Sequence, residues 1–434
     1  MRIVYLTPGT GHFHCGSCLR DEALIKVLKT NGHEVTWVPL YLPLVLDQLG
    51  GPTPPQPVKH IHLGGINAYL QQKSAVFRKT PAWINRIFDA PGLLRWVSRK
   101  SNMTNATALG DLACSLLRGE DGNQHRELQR LVKWLQTIGP MDVLCLSNAL
   151  LIGLASQIRS KLAIPVVCTL QGEDVFLNSL PSPYRDECWQ IVKEGCRHVN
   201  AFIAVSQYYG DMIASRLELP AKRIHVVYNG IDIDGFNPAP APPTPPVLGY
   251  LARLCPEKGL DVIIDAFMML KERDQIEGLR LHLVGAITGV DRKFVDAQKK
   301  RLQSAGVMDV VAITSNPTRH QKQEILRGMS VLSVPATYGE AFGLYVLEAL
   351  ASGVPVVQPR CGAFPELLAK TGGGILYEPD DLYSLVENIE LLLLDEHRRS
   401  RLGKDGRIGV AGYFDADRMA KQFADLCSSV KTEG

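Results

Sequence analysis

The sequence has no apolar run long enough to cross a membrane and no large excess of charge of one sign. A membrane-spanning helix needs about 18 consecutive apolar residues, and no uncharged stretch reaches that length. The 434 residues include 47 basic and 44 acidic ones, for a net charge of +3. Nucleic-acid-binding domains usually carry a large, local basic excess. These absences argue against an integral membrane protein and against a nucleic-acid-binding protein.

A paired-cysteine metal motif is also missing. The ten cysteines are scattered, and Cys15 and Cys18 form the only Cys-x-x-Cys sequence. A zinc site needs a second such pair or histidines at ligand spacing. His12 and His14 lie close by, but small residues packing a tight glycine-rich turn are the better interpretation. We therefore expect no metal site and no cofactor.

The start of the sequence lacks the pattern of a signal peptide. Residues 1–6 form a short apolar run that breaks at Pro8-Gly9, and this run is too short for a signal peptide's apolar core. Scattered cysteines without a leader are typical of proteins that keep their thiols reduced. A cytoplasmic protein is the expectation.

The length of the chain predicts two domains, because one hydrophobic core rarely serves so many residues. Periodicity predicts a strand at 3–6, a helix at 19–30 and a strand at 34–38. Four more strands are predicted in this half, at 142–146, 165–169, 201–205 and 225–228. A second helix is predicted at 149–161. Alternating strands and helices predict a parallel, doubly wound sheet.

A proline-rich segment separates two such patterns. Residues 238–246 read Pro-Ala-Pro-Ala-Pro-Pro-Thr-Pro-Pro, which predicts a stiff, extended linker. Beyond it, strands are predicted at 247–251, at 280–284 and near 310, 331 and 355, with a helix at 260–271. We expect domains over 1–237 and 247–412, and a ligand cleft where the carboxyl ends of their strands face each other.

An insertion at about 43–130 interrupts the first alternation. Its segment 77–100 mixes basic residues with aromatic and apolar ones. The cations are Arg78, Lys79, Arg86, Arg95, Arg99 and Lys100, against the single acid Asp89. This composition suits peripheral contact with an anionic membrane face, or a lipid-linked or anionic acceptor. We favour the alternative, a helical flap packed on its own domain with its tryptophans in the core.

The most informative motif is Gly-Glu-Ala-Phe-Gly-Leu-Tyr-Val-Leu-Glu-Ala-Leu-Ala-Ser-Gly-Val-Pro-Val-Val, residues 339–357. It places Glu340 just before a helix predicted over 342–352, and Glu348 within that helix. The free N–H groups at the start of such a helix form an anion site. Eight residues of helix rise about 12 Å, enough to reach from the sugar to the ribose of one nucleotide sugar. The alternative is a core helix with two unrelated surface glutamates.

Two cations, Arg253 and Lys258, follow the first strand of the second domain. Arginine as a fork and lysine as a point charge can neutralise a diphosphate without a metal ion. The alternative is a pair of solvated surface cations. Asp232-Ile233-Asp234 imitates a metal-binding Asp-x-Asp motif, but it leads into the linker and we discount it.

Together these motifs resemble the family-4 retaining glycosyltransferases of the GT-B fold. The matching pieces occur in the family's order: the glycine-rich loop 9–16, Asn229-Gly-Ile-Asp232, Arg253 with Lys258-Gly259, Glu340 to Glu348, and Gly353-Val-Pro-Val-Val357. The resemblance implies an α/β protein of GT-B type, with two Rossmann-like doubly wound domains facing across a cleft. It also implies metal-independent transfer of a sugar from a nucleoside-diphosphate sugar to a hydroxyl acceptor, saccharide or lipid-linked, with retention.

The resemblance further implies residue roles. Arg253 and Lys258 would hold the donor diphosphate, Glu348 the ribose hydroxyls and Glu340 the sugar. Other donor-binding positions would be Gly11, Gly285, Phe342, Gly343 and Leu344. A C-terminal helix at about 413–434 would complete the N-terminal, acceptor-side domain.

The chain departs from the family at one position. In Thr169-Leu-Gln-Gly-Glu-Asp174, Gln171 stands where many members carry a histidine. Glutamine does not titrate, but it donates and accepts hydrogen bonds, so Gln171 joins Arg253, Lys258 and Glu340 as a catalytic candidate. Glu173 and Asp174 are acceptor-side candidates, or they cap the following segment.

Two other functions stay open at this point. One is a nucleotide-sugar epimerase or hydrolase of the same fold. The other is a nucleotide-sugar-binding protein that has lost catalysis, for which Gln171 is the only support. The sequence identifies neither the sugar, nor the base of the donor, nor the acceptor.

Overall fold

A computed structural model describes residues 1–9, 16–40 and 106–433. Contacts divide the chain into two compact units, Met1–Tyr228 with Met419–Gly434, and Asn229–Arg418. The proline-rich residues 238–246 thus belong to the second unit. Gly11 and the basic segment 77–100 lie outside the described residues.

Each unit contains a six-stranded sheet whose neighbouring strands pair in parallel. In chain order the strands are β1 (Arg2–Thr7), β2 (Glu34–Pro39), β3 (Val143–Leu146), β4 (Val166–Leu170), β5 (Ala201–Ala204), β6 (Ile224–Val226), β7 (Val247–Leu251), β8 (Arg280–Gly285), β9 (Val311–Ser315), β10 (Val331–Leu332), β11 (Val356–Pro359) and β12 (Gly374–Tyr377). Strands β3, β4 and β5 are buried along their whole length. Such apolar runs are required where helices cover both faces of a parallel sheet.

Helices alternate with the strands in both units. In chain order they are α1 (Gly16–Thr30), α2 (Ala106–Leu117), α3 (His125–Thr137), α4 (Ala155–Leu162), α5 (Glu173–Ser179), α6 (Tyr184–Gly195), α7 (Gln207–Leu217), α8 (Leu260–Arg273), α9 (Arg292–Ser304), α10 (Arg319–Arg327), α11 (Leu344–Ala351), α12 (Phe364–Thr371), α13 (Leu382–Leu394), α14 (Glu396–Tyr413) and α15 (Ala416–Glu433). No helix in the described ranges is long and apolar enough to cross a membrane.

The strand order of the second sheet locates a ligand site. The order is β12-β11-β10-β7-β8-β9. After β7 the chain continues to β8 on one side of this central pair, and after β10 it continues to β11 on the other side. Open α/β sheets bind ligands at the carboxyl ends of the strands where this reversal occurs. The segments that follow β7 and β10 carry Arg253, Lys258 and Glu340.

The first sheet runs β2-β1-β3-β4-β5-β6 and is covered in part by the last helix. Buried residues of α15 recur at helical spacing, at Met419, Phe423, Cys427 and Val430. The Phe423 ring centroid lies 6.2 Å from that of Tyr5 in β1. This helix corresponds to the one expected at 413–434.

The structure confirms the predicted α/β class with two doubly wound sheets, but several bounds differ. Helix α1 begins at Gly16, earlier than the predicted 19. The predicted helix at 149–161 is wrong in its first part, because Ala149–Leu154 form a 3₁₀ turn before α4 begins at Ala155. The short strand β12 was not predicted.

Candidate active site

Lys258 and Glu340 meet at the carboxyl edge of the second sheet. Lys258 ends a helical turn (Pro256–Lys258) after β7, and Glu340 lies between β10 and α11. The Nζ atom of Lys258 forms an ion pair with Oε2 of Glu340, and the two side chains are only 19% and 13% exposed. The same oxygen accepts from the hydroxyls of Tyr338, at 3.3 Å, and Tyr345, at 3.2 Å.

These surroundings keep Lys258 charged. Burial lowers the pKa of its ammonium, but the charge of Glu340 and the hydrogen bonds to Glu340 and Tyr338 outweigh burial and the net shift is upward. The rings of Tyr338 and Tyr345 lie 5.1 Å and 5.6 Å from Nζ, close enough for cation–π attraction. Burial, followed by the charge of Glu340, raises the pKa of Tyr338 to about 12. Lys258 is therefore a fixed cation at neutral pH, and Tyr338 is a neutral hydrogen-bond donor.

Arg253 is held between two carboxylates. Its Nη2 donates to Oε2 of Glu257 at 3.1 Å, and its Nε lies 3.5 Å from Oδ2 of Asp291. Asp291 is buried and accepts from the backbone N–H of Thr288, at 3.3 Å, and from its hydroxyl, at 2.5 Å. The Arg253 side chain remains 45% exposed. The acids thus orient the guanidinium while leaving it accessible to an anion.

Gly285 allows the backbone near Arg253 to pack closely. A Cβ atom at Gly285 would lie 1.7 Å from the carbonyl oxygen of Ala252 and 3.4 Å from the backbone nitrogen of Arg253. Any side chain would displace the segment that carries Arg253, so this end of β8 requires glycine.

Glu348 is paired with Lys322, a lysine that the sequence analysis missed. Lys322 lies in α10, and its Nζ donates to Oε1 of Glu348 at 2.5 Å. Their side chains are 13% and 11% exposed. A capping box between Thr318 and Gln321 begins α10, and this sequence signal could have placed Lys322 on a helix. Oε2 of Glu348 makes no hydrogen bond to the described parts of the chain.

The helix that follows Glu340 and contains Glu348 is shorter than the predicted 342–352, at Leu344–Ala351. Gly343 caps it with a φ of 94°, and a Cβ there would lie 2.9 Å from the Phe364 ring. N–H groups of a first helical turn lack intrahelical partners and attract anions. Phe342 packs its ring 6.0 Å from that of Phe414. Its side chain therefore belongs to the core, and only its backbone can face a ligand.

Glu173 is buried in the first unit, where its carboxylate accepts several hydrogen bonds. Its two oxygens accept from the backbone N–H of Ala149 at 2.7 Å, the N–H of Gln171 at 2.8 Å and the hydroxyl of Tyr209 at 2.9 Å. Burial raises the pKa of this carboxyl even though the hydrogen bonds lower it. These contacts tie Glu173 to Ala149, Gln171 and Tyr209, all of which lie outside the following helix α5. Asp174 is half-buried at the start of α5, and burial raises its pKa as well.

The Asn229-Gly-Ile-Asp232 segment makes backbone contacts in the second unit. Ile231 pairs with Asp415, and a Cβ at Gly230 would lie 2.1 Å from the Asp415 carbonyl oxygen. Oδ2 of Asp232 lies 3.7 Å from Nη2 of Arg319. Across the described ranges, no group of three or more His, Cys, Asp or Glu residues is placed to hold a metal ion.

Two family profiles match the chain in succession. The profile described as Glycosyltransferase Family 4 matches residues 116–234, and the one described as Glycosyl transferases group 1 matches 234–408. Similar proteins include a D-inositol 3-phosphate glycosyltransferase of Corynebacterium efficiens, 29% identical over 48% of this chain. A GDP-mannose-dependent alpha-(1-6)-phosphatidylinositol monomannoside mannosyltransferase of Mycobacterium tuberculosis is 27% identical over 51% of it. The chain spans 52% and 60% of these relatives' lengths.

Solved structures share the fold at low identity. The sucrose-phosphate synthase of Thermosynechococcus elongatus aligns over 100% of both chains, with a TM-score of 0.70 and 17% identity. HepE of Anabaena, in complex with UDP and glucose, covers 99% of this chain and 100% of its own, with a TM-score of 0.67 and 17% identity.

Proposed function

The chain belongs to the family-4 glycosyltransferases of the GT-B fold, and we propose that it transfers a sugar from a nucleoside-diphosphate sugar to a hydroxyl acceptor. The transfer proceeds with retention at the anomeric carbon and without a metal ion. The buried Lys258–Glu340 pair at the reversal point of the second sheet is the observation that carries this proposal. It sets a permanent cation beside a carboxylate where a diphosphate and its sugar would lie.

The mechanism assigns a role to Arg253, Lys258, Glu340, Glu348 and the start of α11. Arg253, Lys258 and the first N–H groups of α11 stabilise the negative charge that builds on the diphosphate as the glycosidic bond breaks. Glu340 accepts hydrogen bonds from the sugar, and Oε2 of Glu348 accepts from the ribose. The acceptor hydroxyl attacks from the face that the diphosphate leaves. A phosphate oxygen of the leaving group takes its proton.

The named relatives support the substrate classes. The mycobacterial relative is named for GDP-mannose and a phosphatidylinositol acceptor, and HepE was solved with UDP and glucose. We therefore propose a UDP- or GDP-sugar donor and a saccharide or lipid-linked acceptor. Contact of segment 77–100 with an anionic membrane surface is the alternative to the favoured packed flap, and it has a test of its own. If this segment contacts a membrane, the protein should bind anionic vesicles in a salt-sensitive manner. Joint truncation of Arg95, Arg99 and Lys100 should abolish that binding.

The test begins with thermal-shift screening of UDP, GDP and ADP. The nucleotide that binds then defines the sugar donors, which are incubated alone and with D-inositol 3-phosphate or simple glycosides. Transfer that keeps the anomeric configuration, read by NMR, supports the proposal. An epimerised or hydrolysed donor, produced at the same rate with or without acceptor, would instead identify the epimerase or hydrolase alternative. Nucleotide binding without any turnover would identify a binding protein.

A further inference from the structure

A cavity of about 330 Å³ lies in the second unit, at the amino edge of its sheet. It is bounded by the segments that precede β10 and β11, by the proline-rich residues 238–243 and by one face of α14. Lys258 and Glu340 follow the carboxyl ends of β7 and β10, so they lie at the opposite edge of the same sheet. The cavity is therefore separate from the candidate active site, and the proposed mechanism does not use it.

Two glycines allow α14 to pack closely beside this cavity. A Cβ atom at Gly403 of α14 would lie 2.2 Å from the carbonyl oxygen of Gly353, and one at Gly353 would lie 3.1 Å from Cβ of Pro238. Residues four apart lie on the same face of a helix, so Arg399 and Arg407 share a face with Gly403. The close packing at Gly403 thus brings both arginines to the cavity wall.

Arg399 and Arg407 are held by oxygens that carry no net charge. Nη1 of Arg399 donates to two carbonyl oxygens near the end of α13, at 3.0 Å and 2.8 Å. Nη1 of Arg407 donates to the carbonyl oxygens of Phe236 and Ala351. Within the described ranges neither guanidinium pairs with a carboxylate, and Nε and Nη2 of Arg399 have no partner. The backbone contacts thus fix both cations in place without neutralising them.

The described wall of the cavity carries more positive than negative charge. Lys404 lies on the same face of α14, and its exposed ammonium makes no hydrogen bond or ion pair to the described chain. Arg327 also lines the cavity, but Glu324 pairs with it at 3.0 Å. Among the described lining residues the single acid is Glu396, which is exposed. Three unneutralised cations against one acid in a concave site attract anions.

We propose that this cavity is a second ligand site, which binds a small phosphorylated molecule through Arg399, Lys404 and Arg407. Guanidinium forks match the geometry of phosphate oxygens, and a lysine adds a point charge. The prolines and alanines of 238–243 form an apolar wall against which the organic part of the ligand packs. A proline-rich segment is stiff, so the cavity is formed before the ligand arrives. The proposal does not depend on the proposed glycosyl transfer.

The test is calorimetric titration of ribose 5-phosphate into protein that carries both Arg253→Met and Lys258→Met. These two changes remove the cations assigned to the donor diphosphate, so the remaining binding reports on the second site. We expect a single binding event in this background. Inorganic phosphate should bind more weakly, because it lacks the organic part, and sodium chloride at equal ionic strength should give no comparable heat.

Lys404→Glu in this background should weaken binding of ribose 5-phosphate by about tenfold or more, the scale of a lost charge-assisted contact. The matched control is Lys300→Glu, which makes the same change of charge at an exposed lysine of α9 in the same unit. Ser400→Asp adds an acid on the same face of α14 and should weaken binding as well. Ser400 and Lys404 are exposed, so these variants should fold, and circular dichroism checks that they do.

Three results would count against the second site. If ribose 5-phosphate binds wild type but not the Arg253→Met, Lys258→Met protein, or binds neither, the proposal is overturned. Equal losses of affinity in Lys404→Glu and Lys300→Glu would show only a general effect of charge, and would overturn it too. Inorganic phosphate that binds as tightly as ribose 5-phosphate would confine recognition to the phosphoryl group and refute the role of the apolar wall at 238–243.

Discussion

Lys322 donates to one oxygen of Glu348 at 2.5 Å, and both side chains are almost fully buried between α10 and α11. The lysine fixes the carboxylate and leaves free the second oxygen, to which the proposed function assigns the ribose of the donor. Removing one partner of a buried pair leaves an uncompensated charge, which costs more than the pair itself contributes.

We predict that Lys322→Met lowers the free energy of unfolding by about 1–3 kcal/mol and weakens nucleotide binding. The matched control is Arg301→Met, which breaks the exposed Arg301–Asp265 pair and should cost less than about 1 kcal/mol. Urea unfolding and calorimetric titration with UDP or GDP measure both effects. Equal stability of the two variants would contradict a fixed, buried pair.

We predict that Lys258→Met and Arg253→Met each weaken nucleoside-diphosphate binding by about 10- to 100-fold, since each removes a charge-assisted contact. Arg360→Met is the control, because Arg360 pairs with Glu378 on the surface of the same unit. Glu340→Gln should retain nucleotide binding but slow turnover, since its assigned contact is with the sugar. Undiminished affinity in both cation variants would refute the diphosphate assignment.

We predict that Glu348→Gln reduces donor affinity more than Gln171→Ala. In the proposed function the Glu348 carboxylate makes a charge-assisted hydrogen bond to ribose, whereas the Gln171 amide would offer only a neutral one. Competition between ribose and deoxyribose nucleotides tests the role directly. A Glu348→Gln protein that discriminates them as well as wild type contradicts it.

We predict that turnover survives EDTA. In the proposed mechanism Arg253, Lys258 and the first turn of α11 supply the positive charge that a divalent ion supplies in metal-dependent transferases. The assay is nucleotide release with and without chelator. Loss of activity that Mg²⁺ or Mn²⁺ restores would show that a metal takes part.

We predict an acid-sensitive contribution from Asp142, which anchors α15. The Lys431 ammonium, 2.8 Å away, and the Arg2 N–H lower the pKa of this carboxyl. A depressed folded pKa gives stability that is present above the unfolded value of about 3.9 and is lost as pH falls through the folded value. Asp142→Asn should therefore cost less than about 1 kcal/mol at pH 7. That cost should begin to shrink as pH falls below about 3.9, and a cost that stays constant in urea titrations continued well below that pH would contradict this.

The sequence predicts those site residues that directly follow a strand. Apolar runs reveal β7 and β10, and parallel pairing brings their carboxyl ends to one edge, so Arg253, Lys258 and Glu340 could be placed together. The Glu348–Lys322 and Arg253–Asp291 contacts could not, because they depend on which faces of neighbouring segments pack together. The hydrogen bonds of Glu173 with Ala149 and Tyr209 could not be predicted either, because both partners lie far from it in sequence.

Helix α15 also determines the order in which the two units can be completed during synthesis. Residues 229–418 leave the ribosome as one contiguous piece and can fold as a unit. At that point the first unit is still incomplete, because Phe423 does not yet pack against Tyr5 of β1. Its apolar surface is closed only when residues 419–433 emerge. The half of the protein that is made first is thus the last to complete its core.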